Sequence, residues 1–172
     1  VRIPVIASVN CVAADKWVAY ARKIERAGAD ALELNLYHMP VDPDETGEEV
    51  EARRLALVQA VLAEVRLPVA VKLSQHYTTL LPFARRLDTL GVKGLVLFNR
   101  FLQTDVDIEN ESIFFAPNYS TPHVLHAQLR WTAVLRDWVR CALAISGGIH
   151  SGAGLVKAML VGADAGYICS VL

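Results

Sequence analysis

Ala144-Ile-Ser-Gly-Gly-Ile149 and, a short helix later, Gly162-Ala-Asp-Ala-Gly-Tyr-Ile-Cys-Ser170 decide how this chain is read. Each is an apolar run that ends on a turn of small residues. Together they spell a buried strand, a glycine turn, a helix, a second buried strand and a second turn. A glycine turn opening onto a helix aims several backbone N–H groups at one point, where the positive end of the helix adds to them. Two such turns in succession suit an anion with several acceptor oxygens, a phosphate above all.

The same alternation runs back to the N-terminus. Short apolar runs predict strands at Pro4–Val9, Ala31–Asn35, Val69–Leu73, Gly94–Asn99, Ala142–Ser146 and Ala165–Ile168, because parallel strands buried on both faces read as continuous apolar runs. Spacing and caps predict helices over Asp15–Ala27, Gly47–Val65, Leu80–Leu90, Thr121–Val139 and Ala153–Val161. Trp17, Ala21, Ile24 and Ala27 share one helix face, which Gly28 ends; Leu55, Val58, Val61, Leu62 and Val65 share another, with Pro68 beyond it. Ala27-Gly-Ala-Asp30, Leu90-Gly-Val-Lys93 and Val161-Gly-Ala-Asp164 repeat one device: helix, glycine, polar residue, strand. Repetition of a βα unit favours an α/β fold of the (β/α)8 TIM-barrel type, as a single domain over residues 1–172. In such a barrel the loops after strands seven and eight hold phosphate. Six strands fit where a barrel has eight, and the chain opens on a strand and stops after one. The expectation is an incomplete barrel that lacks its first two βα units and its closing helix. A complete open doubly wound sheet is the alternative; it wants a glycine-rich turn after its first strand, and Ala7-Ser-Val-Asn-Cys11 is not one.

The bulk properties narrow the partners. At 172 residues, 53% hydrophobic and 20% charged, the chain has ample apolar material for one core, and a net charge of −1 gives no electrostatic footprint for nucleic acid or a membrane surface. Charges interrupt every apolar run well short of the ~20 residues that span a bilayer. Val1-Arg-Ile-Pro-Val-Ile6 lacks the layout of a signal peptide. Cys11, Cys141 and Cys169 form no CxxC pair, which predicts reduced thiols in a cytoplasmic protein. The acidic stretch Asp42-Pro-Asp-Glu-Thr-Gly-Glu-Glu49 reads as a solvated loop and helix cap, with no metal expected. The connection from Asn99 to Pro122 is too long for an ordinary loop. Asp105-Val-Asp-Ile-Glu109 and Ser112-Ile-Phe-Phe115 suggest a small hairpin within it, covering a site or meeting a second copy in a homodimer. Trp131 and Trp138 stand at helical spacing and read as core.

Side chains at the C-terminal ends of barrel strands face the active site. Here those ends carry Ser8 and Asn10, Asn35, Lys72 and Ser74, Asn99, and Ser146. Lys72 closes the apolar run Val69-Ala-Val-Lys72 and is partly desolvated, so it needs an anionic partner or a lowered pKa. It suits a cation that offsets charge developing on an electron-accepting ring. It also suits a Schiff-base nucleophile, or simply a lysine paired with a carboxylate such as Glu33. Asn35 and Asn99 each offer donors and an acceptor to the edge of a heterocycle, or else cap their strands.

Four stretches resemble a known family: Gly28-Ala-Asp-Ala-Leu-Glu-Leu-Asn-Leu36, Pro68-Val-Ala-Val-Lys-Leu73, Val96-Leu-Phe-Asn99 and Ser146-Gly-Gly-Ile149. They resemble the dihydroorotate dehydrogenases, more closely their dihydroorotate dehydrogenase-like bacterial branch; the flavin half of dihydropyrimidine dehydrogenase is a further relative. The resemblance covers essentially the whole chain. It implies the C-terminal two-thirds of an FMN-binding barrel, an oxidoreductase acting on a CH–CH bond of a small cyclic substrate. Dihydroorotate to orotate, in pyrimidine biosynthesis, is the family default. It implies that Lys72 lies beside the flavin pyrimidine ring and that Asn35 and Asn99 contact flavin and substrate. Asn10 matches a flavin contact, Ser146 precedes the first phosphate turn, Gly147 and Gly148 form that turn, and Cys169 and Ser170 form the second. The chain departs from the family after Asn35. Leu36-Tyr-His-Met-Pro40 stands where Leu-Ser-Cys-Pro-Asn is usual, so His38 occupies the place of the cysteine or serine base and Pro40 replaces a substrate-gripping asparagine. A histidine is a competent base near neutral pH. Arg100 follows Asn99 where a small hydroxyl residue is common. Two alternatives stay open on the sequence: a non-redox barrel lyase or isomerase acting on a phosphorylated substrate through a Lys72 Schiff base, and an inactive truncated chain.

Overall fold

The computed structural model describes residues 3–11, 14–36, 39–116 and 119–172, without the side chains of residues 14 and 15. Its strands are β1 (Ile6–Val9), β2 (Ala31–Asn35), β3 (Val69–Leu73), β4 (Gly94–Leu97), β5 (Gln103–Asp107), β6 (Ser112–Ala116), β7 (Ala142–Ser146) and β8 (Ala165–Tyr167). The helices are α1 (Ala14–Arg26), α2 (Gly47–Glu64), α3 (Leu80–Leu90), α4 (Leu125–Arg136, led in by a 3-10 turn at Pro122–Val124) and α5 (Gly152–Leu160). Six strands form one sheet in the order β1-β2-β3-β4-β7-β8, every neighbouring pair parallel, and β5 and β6 make a separate antiparallel hairpin. This is the expected incomplete (β/α)8 barrel. Among the described residues, no helix is long and apolar enough to cross a membrane.

The register explains why the sheet has two unlike faces, since successive side chains of a strand point to opposite sides. Leu32, Leu34, Val71, Leu95, Leu143 and Ile145 are fully buried. They lie on the outer face, where α1 to α4 cover the sheet with a main apolar core, while Ile145 packs in a second, smaller cluster with Leu125, Ile149 and Ala158. The intervening positions carry smaller or polar residues: Ala70, Gly94, Ala142, Ala144 and Ala165, then Glu33, Asn35, Lys72 and Tyr167. Small side chains on one face and bulky ones on the other suit a sheet that curls with its inner face concave.

The repeated helix–glycine–polar–strand device has a specific purpose. Gly28, Gly91 and Gly162 all take φ between 86° and 99°, which only glycine adopts without strain. The following aspartate then returns to the strand before the helix. Asp30 Oδ2 accepts from Val5 N at 2.8 Å, and Asp164 Oδ2 accepts from Leu143 N at 2.8 Å. In the third copy the acceptor comes from the helix itself: Asp88 Oδ1 takes the N–H groups of Arg140 and Cys141, at 3.2 and 2.9 Å. The acidic stretch before α2 is a capping box, with Thr46 Oγ1 accepting from Glu49 N and Glu49 Oε2 accepting from Thr46 N.

Two expectations change. The helix foreseen over Thr121–Val139 begins as a 3-10 turn and stops at Arg136, so Trp138 falls beyond it. Trp138 is 55% exposed, with the Arg85 guanidinium 5.5 Å from its ring, and is not core; Trp131 packs on the core's edge. Strand β4 ends at Leu97 rather than Asn99, although Asn99 N still donates to Leu73 O at 2.6 Å.

Leu95, in the middle of the sheet and fully buried, is a sensitive position. Leu95→Ala is expected to cost about 2–5 kcal/mol, read as a lower urea midpoint with an unchanged slope. The thiols should also separate. Burial, and then the Asp88 carboxylate, push the Cys141 thiol up to about 12, whereas Cys169 is exposed. Maleimide at mildly alkaline pH should modify Cys169 first and Cys141 last by mass spectrometry; early labelling of Cys141 would contradict the packing of β7 under α3.

Candidate active site

The C-terminal strand ends converge on a cleft of about 700 Å³. Lys72, Gln75 and His76 enter it from β3, Asn99 and Arg100 from β4, Ser146 to Ile149 from β7, and Tyr167 to Ser170 from β8. The approach to α4 supplies Ser120 and His123, and α4 itself supplies Gln128. Of the residues anticipated from sequence, Lys72, Asn99, Ser146, Gly147, Gly148, Cys169 and Ser170 share this one cleft. Asn35 and Asn10 do not border it. Asn35 sits one strand over, paired in register with Lys72, and its Oδ1 is buried without a hydrogen-bond partner among the described residues. Asn10 is exposed just past β1, at the edge of the sheet. His38 and Tyr37 lie outside the described residues.

The two turns are joined physically. Gly147 and Gly148 take φ of +89° and +82°, which glycine alone adopts without strain, and both line the cleft. Helix α5 follows directly, with Ser151 as its cap accepting from Gly154 N at 3.2 Å. Ser120 ties the turn after β7 to the turn after β8. Its Oγ lies 3.0 Å from His150 Nε2, and its N–H donates to Ser170 Oγ at 3.3 Å. Gly148 answers to a second constraint as well: a Cβ there would stand 2.4 Å from Leu125 N, so α4 docks against the turn only because the side chain is absent.

The cleft has one electrostatic sign. Among its described lining residues Lys72 and Arg100 are cations, His76 and His123 are titratable, and there is no carboxylate. Lys72 has no ion pair among the described residues, so the pairing with Glu33 does not form; its ammonium instead lies 5.8 Å from the centre of the Tyr167 ring. Asn99 uses Oδ1 to accept from Arg100 N at 3.0 Å, while its Nδ2 is buried with no partner among the described residues. Such a cleft, with donors left over, takes an anion that carries polar ring edges.

Sequence reasoning passed over Gln128 and Tyr167. Gln128 is 3% exposed, donates Nε2 to Ser146 O at 3.2 Å, and keeps a buried Oε1 without a partner among the described residues. Its signal was a polar residue on the buried face Leu125, Gln128, Thr132, Leu135. Tyr167 was hidden inside an ordinary strand, Ala165-Gly-Tyr167.

No protein-family model matches the chain. Among curated proteins it is 30% identical over 171 residues to a dihydroorotate dehydrogenase A (fumarate) of Lacticaseibacillus paracasei, covering 95% of this chain and 58% of that protein. The chain spans a little over half the length of the curated relatives it matches, 55% and 58% for two of them. Among solved structures, DHODH from Eimeria tenella in complex with ferulenol superposes with a TM-score of 0.63 at 17% identity, over 94% of this chain and 50% of that one. Dihydrodipicolinate synthase of Agrobacterium tumefaciens superposes with a TM-score of 0.60 at 22% identity, over 95% and 46%. These two likenesses establish the fold and do not choose between its users. The choice comes from sequence: nearly the whole length of this chain is similar to proteins named dihydroorotate dehydrogenases, over a little more than half of theirs.

Proposed function

We propose that the cleft holds FMN and serves an oxidoreductase that removes hydrogen across a CH–CH bond of a small cyclic substrate, dihydroorotate to orotate in pyrimidine biosynthesis being the family reaction. The observation that carries this reading is a cationic cleft, with no carboxylate among its described lining residues, in which Lys72 and Asn99 meet the Gly147–Gly148 turn, on a chain whose similar proteins are named dihydroorotate dehydrogenases. The reduced thiols accord with a cytoplasmic setting.

The residues present fit FMN. Two buried amide atoms, Asn35 Oδ1 and Asn99 Nδ2, lack partners among the described residues and suit the hydrogen-bonding edge of a flat ring. The N–H groups of Gly147, Gly148, Cys169 and Ser170, with the start of α5 behind them, suit its phosphate. Ser146 and Asn10 extend the set on either side. FMN, when bound, supplies the acceptor for the hydride. The work of the chain's own residues is electrostatic and positional. Lys72 sets a positive charge where negative charge gathers, an effect magnified where water is excluded. Asn35 and Asn99 fix the plane of the reacting groups. His38 is assigned the proton that leaves the substrate carbon, taking it on a ring nitrogen.

Two measurements test this. FMN added to the chain should bind with a change in flavin fluorescence and protect Cys169 from alkylation, while riboflavin, lacking the phosphate, protects much less. Equal protection by both, or none by either, argues against the phosphate site. In the FMN-loaded protein Lys72→Ala should slow reduction by dihydroorotate by about 10²–10³-fold with FMN retained. An unchanged rate removes the assigned role, and borohydride trapping of a substrate on Lys72 would point to imine chemistry instead.

A further inference from the structure

Ser120, half-buried on the approach to α4, stands over the first glycine of the turn after β7. Its Cβ lies 3.8 Å from the place a Cβ of Gly147 would occupy, and Gln128 Nε2 lies 3.9 Å from the same place. From there Ser120 reaches both closing turns. Its Oγ is 3.0 Å from His150 Nε2, and its N–H donates to Ser170 Oγ at 3.3 Å. Ser120 and Ser170 line the cleft, whereas His150 borders a small apolar hollow with Ile149, Leu155 and Ile168 and meets Ser120 from outside the cleft lining. The two hydroxyls are the part of this chain of contacts that a bound molecule meets.

A hydroxyl has one proton to give and two lone pairs to offer. Ser170 Oγ already accepts from Ser120 N, which leaves its proton for another acceptor. Ser120 depends on His150. A ring nitrogen that took the Ser120 proton would leave only lone pairs facing the cleft, which suits a cation. A ring nitrogen that donates leaves the Ser120 proton for the cleft, which suits an anion. The surroundings select the second arrangement, because Lys72 and Arg100 are cations and no carboxylate stands among the described lining residues. We infer that His150 donates Nε2–H to Ser120 Oγ and so sets the Ser120 hydroxyl, beside that of Ser170, as a side-chain donor to a phosphate group between the two turns. Ser120 touches the ligand; His150 acts through it as a positioning residue. A hydrogen bond to a charged oxygen is about twice as strong as a neutral one, so the hydroxyl adds materially to what backbone N–H groups provide. The inference deepens the proposed function and rests on its phosphate site, though not on the flavin ring.

The test therefore uses inorganic phosphate as its probe, titrated at constant ionic strength. Alkylation of Cys169, an exposed thiol in the lining of the same cleft, is followed by mass spectrometry with the neutral reagent iodoacetamide. The half-protecting phosphate concentration should rise about tenfold in Ser120→Ala and by a similar factor in His150→Leu. His150→Gln, whose amide offers an N–H from a similar reach, should recover most of the loss, a rescue that a merely space-filling role would not give. Combining S120A with H150L should cost little more than either change alone, since both remove one hydrogen bond. A wild-type value in Ser120→Ala, additive losses in the double variant, or no protection of the wild type by phosphate overturns the inference. Should His150→Leu not fold, the other two single variants decide: a tenfold loss in Ser120→Ala with a near wild-type value in His150→Gln supports the inference, and any other pattern overturns it. If phosphate behaves as expected but FMN does not protect Cys169, the proposed function fails and this inference stands.

Discussion

Everything at the site depends on the unequal faces of one parallel sheet. Large aliphatic side chains on the outer face give the helices a continuous apolar surface, and small residues with a few polar ones occupy the inner face. Bulk on one side and its absence on the other lets six strands curl, so their C-terminal tips approach one another instead of fanning out. The approach of the Lys72 ammonium on β3 to the Tyr167 ring on β8 is the physical sign of that curl, because a flat sheet of this order would keep those strands apart. Reverse the alternation in a single strand, and its polar tip would turn under a helix.

Glycine in the turn after β7 serves two demands at once. The positive φ of Gly147 and Gly148 makes the tight turn that lines the cleft, and the missing side chain of Gly148 lets the start of α4 sit against it. Helix α4 in turn brings Gln128 and Ser120 to the same place, and Ser120 links both closing turns. Cleft lining and helix docking are therefore one construction. A substitution at Gly148 would damage stability and binding together, and the two losses would be hard to separate by activity alone.

Fold and function part company here in an instructive way. Two enzymes with different names match the half-barrel almost equally well, because βα repetition constrains backbone geometry and leaves the strand tips free to vary. What separates them is chemistry carried by a few side chains. Among the described residues of this chain these are a lysine without an ion pair, amides with spare hydrogen-bonding capacity and a cleft lining without carboxylates. Substrate choice is the property most open to change in such a protein, since loops tolerate substitutions that the strands do not.

The sequence by itself determined the strands, most helix boundaries, the order of the βα units and the convergence of Lys72, Asn99, Gly147, Gly148, Cys169 and Ser170. All of these follow from local signals: apolar runs of strand length, caps, positive-φ glycines and the rule that barrel tips face one way. Trp138 misled because periodicity carries no marker for the residue at which α4 frays. Only the tertiary structure decided that Lys72 has no carboxylate partner among the described residues, that Asn35 and Asn10 stand outside the main cleft, and that Tyr167 and Gln128 belong to it. Those outcomes depend on how tightly the sheet curls and which side chains meet across its interior. Such contacts join residues as distant in sequence as Lys72 and Tyr167, and no local pattern encodes them.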